Sequence, residues 1–232
     1  MRTVIVSILF VLITAFGFYI KDNRQESNKF NQSTHNFHDD EAEVMAAAQD
    51  GLQRMLNAIP AGYERLYGFE NRGCFGLAEL GSPYRVYCLS TDFLKIENPG
   101  LKDYLIPLDL WRVPILVNGI GISLLTVEKD GNSWKVVDLG GAGLAKELSL
   151  FEENFAQYPG HRILLRLYQI QCDFLIDVKN NTPVSEGTFY PLQSAKIVFQ
   201  DQDWLEKSSC SLDELAPLIK MKYTESFKYE SK

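Results

Sequence analysis

The sequence predicts an α+β fold: an antiparallel sheet, made of a meander and a C-terminal hairpin, packed by two or three helices after an N-terminal apolar leader. Three observations carry this. Residues 41–59 repeat apolar side chains at helical spacing. Residues 111–139 hold three alternating apolar runs separated by Asn118-Gly119 and Asp130-Gly131, the turn dipeptides that join antiparallel strands. Residues 164–178 and 189–199 alternate again around a turn-rich loop.

The chain of 232 residues opens with Met1 and Arg2, followed by an uncharged run from Val4 to Ile20. A basic start and an apolar stretch form the pattern of a secretory signal. Ala15-Phe16-Gly17 offers small residues at the right spacing for cleavage after Gly17. The same run of 17 residues is at the short limit of a spanning helix, so residues 1–20 read either as a signal peptide or as an uncleaved anchor. Both readings place the remainder outside the cytoplasm: periplasmic, secreted, or held at the inner membrane. The form of the leader points to a bacterial envelope protein. Residues 21–40, rich in Asn, Gln, Ser and charge, read as a flexible polar spacer. His35 and His38 lie in it beside Asp39 and Asp40, but a mobile segment has nothing to orient metal ligands. No metal or cofactor is therefore assigned.

Residues 41–220 are expected to form one globular domain, with 221–232 fraying as a tail. In the first helix Val44, Ala48, Leu52, Met55 and Ile59 share a stripe, with Asp40 and Glu43 as caps and Pro60 as the stop. Between 61 and 90 the glycines break the chain into short pieces, and 84–89 is the one clear strand. Tyr63, Tyr67, Phe69, Tyr84 and Tyr87 crowd this region. Aromatics between glycines are candidates for a binding surface, although filling a core is their commoner use. In the meander, Pro114 places the first strand at an edge or at a bulge. The glycines at 140, 141 and 143 then open a helix over 144–158. They match neither phosphate-binding glycine pattern, and close packing of helix on strand accounts for them better. One long strand is expected over 164–178, with Asp173 and Asp177 on its wetter face. A return strand covers 189–199, interrupted by Pro191, and Ser211 to Glu214 forms a capping box for a last helix that contains Pro217.

Cys74, Cys88, Cys172 and Cys210 are even in number, which in an exported chain permits two disulfides. The pairing 74–88 with 172–210 closes each loop within one half of the chain. The alternative is four buried thiols. No CxxC spacing is present.

Beyond the leader, 22 basic side chains face 30 acidic ones. This excess of negative charge opposes nucleic acid as a main partner and opposes electrostatic docking on an anionic membrane. The membrane would be met only through the N-terminal segment. No nucleophile-and-base motif appears. His161 is the one histidine past the spacer, and a hydrolase would have to pair it with Cys74, Asp138 or Asp173. Acidic pairs such as Asp173 with Asp177, or Asp109 with Asp138, could in principle serve a glycosidase. Solvated acids on a strand are the ordinary reading. The order helix, meander, helix, hairpin over 41–200 resembles the small helix-on-sheet domains of the cystatin-like and PepSY type. That resemblance is architectural and implies a sheet or groove that binds a peptide, a protein or an envelope component. The overall expectation is a non-enzymatic binding module of the cell envelope, with an exported hydrolase as the alternative.

Overall fold

A computed structural model describes residues 37–90, 92–93, 104–155, 161–179, 182–200 and 208–230. The leader, all but the end of the spacer, and His35 lie outside the described residues, as does the His38 side chain. The chain divides into two compact units, Met1–Asp39 and Asp40–Lys232. The account below concerns the second.

The mixed α+β class holds. Helix α1 (Phe37–Ala58) leads to short 3-10 turns over 64–67 and 72–77, and then to strands β1 (Ala78–Leu80) and β2 (Tyr84–Leu89). The meander follows as β3 (Leu105–Val117), β4 (Ile120–Asp130) and β5 (Ser133–Gly140). Helix α2 (Ala142–Phe155) comes next. Strands β6 (His161–Leu167), β7 (Cys172–Val178) and β8 (Thr188–Pro191) precede helices α3 (Gln193–Val198) and α4 (Leu212–Glu230). The strands form one sheet in the order β5-β4-β3-β2-β6-β7-β8, with β1 beside β3. All pairings are antiparallel except β2 with β6, which is parallel and joins the meander half to the C-terminal half. Sequence patterning had suggested a wholly antiparallel sheet. The parallel seam forms between strands 70 residues apart, which local turn chemistry cannot reveal.

Strand alternation divides the side chains between two faces. On one, α1 lays Val44, Ala48, Leu52, Leu56 and Ile59 against Trp111, Val113, Ile115, Leu125, Val127, Trp134 and Val136. Leu56 joins the stripe, and the half-buried Met55 packs against the same cluster. The helix also begins earlier than the expected cap at Asp40. Gly51 is what lets α1 approach β5: a Cβ there would sit 2.5 Å from Val136 Cγ2. On the other face α2 packs Ala145 and Leu148 over Tyr84, Val86, Leu110, Leu124, Leu164 and Leu175. Here the close approach falls at Gly121 of β4, where a Cβ would lie 2.6 Å from the Ala145 carbonyl oxygen. The glycines at 140–143 do not make it. Gly141 instead supplies a positive φ of 73° at the start of α2.

Four expectations need correction. Pro114 is not at an edge, because β3 has β2 and β1 on one side and β4 on the other. The bulge alternative fits, since the β3–β4 register shifts between Ile115 and Leu116. The single strand expected over 164–178 is two strands, β6 and β7, joined by a 3-10 turn at 168–170 with Gln171 at φ 52°. That turn contains no Gly, Pro, Asn or Asp, so the usual turn signals are missing. The return strand ends at Pro191, and Gln193–Val198 is helical. The stretch after 220 does not fray at once: α4 runs to Glu230 and Tyr223 is wholly buried. Tyr223 donates to Gln169 Oε1 at 2.6 Å and packs edge-on against Phe93. The capping box forms as expected, with Ser211 N donating to Glu214 Oε2 at 2.9 Å and Glu214 N to Ser211 Oγ at 3.3 Å.

Candidate functional site

The face that carries α2 is only partly apolar. Cross-strand pairs set Arg166 opposite Asp173 and Arg162 opposite Asp177. The Arg162 guanidinium bonds Glu152 of α2, and Tyr84 donates to the same carboxylate at 2.6 Å. This group pins α2 to the sheet. Arg166 Nη1 lies 3.5 Å from Asp173 Oδ1, and its guanidinium stacks 5.5 Å from the Tyr168 ring centre. Asp173 N donates to Ser194 Oγ at 2.9 Å, Ser194 Oγ donates back to Asp173 Oδ2 at 3.3 Å, and Leu192 N donates to the Asp173 carbonyl. These three bonds turn the chain out of β8 into α3. Gln193 N donates to Glu147 of α2 at 2.6 Å, bringing a further carboxylate to the same rim.

From the meander side, Arg112 of β3 donates to Thr126 of β4. Its charge is felt together with those of Arg166, Asp138 and Asp173. Arg112 stands on β3, with Asp138 of β5 on one side and Arg166 of β6 and Asp173 of β7 on the other. The result is a half-buried polar patch of Arg112, Arg166, Tyr168, Asp173 and Ser194, with exposed Asp138 at its margin.

Burial and the neighbouring Arg166 both push the Arg112 pKa down, while Tyr168, Asp138 and Asp173 push it up. Burial raises the Asp173 carboxyl against the opposing pull of Arg166, Ser194 and Arg112. Tyr168 is pushed up to about 12, mainly by burial. Two guanidiniums and the Asp173 carboxylate thus lie near one another where water is partly excluded. Such an array binds charged, hydrogen-bonding groups well.

The residues singled out from sequence are scattered. Tyr63 is exposed and Tyr67 half-buried, but Phe69, Tyr84 and Tyr87 are buried. Phe69 stacks edge-on with Phe75 on the α1 side, whereas Tyr84 lies under α2. Phe69 and Tyr84 are therefore core residues on opposite faces of the sheet. His161 opens β6 opposite Val178, five residues from Arg166 and its partner Asp173, or about 17 Å along the strand. Asp138 is four strands away on β5, and Cys74 packs against the α1 cluster. The register does not bring His161 to any of its suggested partners.

The four cysteines are present as thiols. Cys210 pairs with Phe189 on the outer side of β8, and Phe189 faces Ile176, four residues along β7 from Cys172. Two strand spacings and four residues separate Cys172 from Cys210 by roughly 16 Å, against the ~7 Å limit for a bridge. Cys210 Sγ instead donates to the Phe189 carbonyl. Burial raises the Cys88 thiol to about 11 and raises Cys172 further, which disfavours the thiolate a nucleophile needs.

Sequence reasoning missed Arg112, Arg166, Tyr168 and Ser194. One signal was available. Arg162 and Arg166 stand symmetrically with Asp177 and Asp173 about the 169–170 bond, which is the charge pattern of a hairpin folded there. Comparison with protein-family models, with curated proteins and with solved structures returns no significant match. The likeness over 41–200 to cystatin-like and PepSY domains accordingly rests on element order alone.

Proposed function

We propose that the protein is a non-enzymatic binding module of the cell envelope, carried out of or tethered at the membrane by its N-terminal segment, with the polar patch on the α2 face of the sheet as its ligand surface. The observation that supports this most is the pair of like charges, Arg112 and Arg166, which act on each other in a half-buried patch with Tyr168 and Ser194. A packed core gains nothing from opposing guanidiniums, whereas a charged peptide or envelope component would relieve their repulsion. Asp138, Asp173 and Glu147 would meet that ligand's cationic or N–H groups.

The test is photo-crosslinking in intact cells from a benzophenone side chain placed at Lys196, which is exposed on α3 at the rim of the patch. A discrete adduct is expected from position 196. None is expected from a control at Leu77, and the adduct should be lost when Arg112 is replaced by Met. An adduct indifferent to Arg112, or none at all, would remove the patch as the ligand surface. Intact mass of the envelope-purified protein, before and after thiol alkylation, reports whether residues 1–17 are removed and whether the thiols are free.

A further inference from the structure

We infer that the opposite face holds a second, smaller site: a place for a tetrahedral oxyanion of the phosphate class beneath the start of α1, bounded by Arg85, Lys129, Trp111, Trp134 and Asp40. Three buried N–H groups gather there without a hydrogen-bond partner among the described residues: Arg85 Nε, Trp111 Nε1 and Trp134 Nε1. Native interiors leave few such donors, and each is costly when unsatisfied. Three on four adjacent strands, beside two cations, call for acceptors that the described residues do not supply.

The register explains why they meet. Arg85 of β2 is paired with Trp111 of β3, Trp111 with Val127 of β4, and Lys129 with Trp134 of β5. Trp111 and Trp134 both belong to the core under α1. The Arg85 guanidinium stands 5.8 Å from the Trp111 ring centre and Lys129 Nζ 5.2 Å from that of Trp134. Two cations therefore rest on two indoles across four adjacent strands.

Among the described residues, the carboxylate they share is Asp40. Its Oδ2 is 3.8 Å from Arg85 Nη1 and its Oδ1 is 3.7 Å from Lys129 Nζ. Both contacts exceed the ~2.7–2.9 Å of a charge-assisted hydrogen bond. Asp40 spans the two cations without satisfying either, and the group keeps one excess positive charge. The Arg85 side chain is only 8% exposed, so bulk water does not offset that charge fully. An oxyanion beside Asp40 supplies what is missing: negative charge, and several acceptors for N–H groups carried on different strands. The anion is either a free ion or a phosphate carried on a larger molecule.

The experiment uses the full chain. Inorganic phosphate and glycerol 3-phosphate are titrated at constant ionic strength against a chloride control, reading the thermal midpoint and tryptophan fluorescence. A saturable rise in midpoint is expected with phosphate, accompanied by a fluorescence change. Asp40→Asn, which removes the competing carboxylate, should tighten binding, and Lys129→Met should weaken it, each by about tenfold. Saturation by inorganic phosphate would show that the free ion suffices. Saturation by the ester alone would show that the anion arrives on a larger molecule. Midpoints that follow chloride for both probes, or equal affinity in wild type and both variants, would overturn the site. Lys129 is a third exposed, so its loss is tolerated where replacing Arg85 could unfold the chain.

Discussion

The two faces of the sheet handle polar groups in opposite ways. Under α1 the surface is almost wholly apolar, and its few polar atoms are cations and indole N–H groups served by one carboxylate. Under α2 the apolar patch is smaller, and charged residues of β6 and β7 are matched across strands and tied to Glu152 and Ser194. The first face stores its stability in packing. The second gives up packing for an array of charges in contact with solvent. The surface proposed for a peptide or envelope component lies on the second, because a large ligand there need not displace a core.

Substitutions on each face should separate these roles. The largest effect is expected from Leu125→Ala, fully buried beneath α1, which should cost about 2–5 kcal/mol in urea unfolding. A value near zero would mean that the α1 face is not the main core. Gly121→Ala forces a methyl against the α2 backbone and should cost about 1–3 kcal/mol. If it proves neutral, α2 is free to move off the sheet. Arg166→Met should cost no more than about 1 kcal/mol, since its side chain is 33% exposed, and calorimetry should find the fold intact.

The smallest effect is one of pH. Burial raises the Asp173 carboxyl above its ordinary value of 3.8, so the folded state holds this proton more tightly than the unfolded one. Its contribution to stability is then complete below pH 3.8 and is lost as pH rises through the folded-state value. Asp173→Asn should flatten that part of the stability profile above pH 3.8. An unchanged slope in the variant would exclude Asp173 as its source.

The contrast between the faces was partly legible beforehand. The α1 stripe, the Asn118-Gly119 and Asp130-Gly131 turns and the capping box at Ser211 are local features, each fixed by residues within one or two turns of chain. They were read correctly because nothing distant competes with them. The hairpin at 168–171 was missed because Gln171 takes a left-handed conformation with no glycine to announce it. Once two strands had been merged into one, Arg166 and Asp173 could not be seen as partners. The aromatics of 61–90 misled for a different reason: composition records that they are large and apolar, but not which face of the sheet receives each.

By itself, the sequence determined the apolar N-terminal run, the acidic balance, the α+β class and the antiparallel meander, because all of these depend on neighbours in the chain. The tertiary structure decided the parallel β2–β6 seam, the placing of Arg112 and Arg166 on one face, and the meeting of Arg85, Trp111, Lys129 and Trp134 under α1. Those depend on register between distant strands. A shift of one residue would send each side chain to the other face, and no local pattern encodes which register packs best.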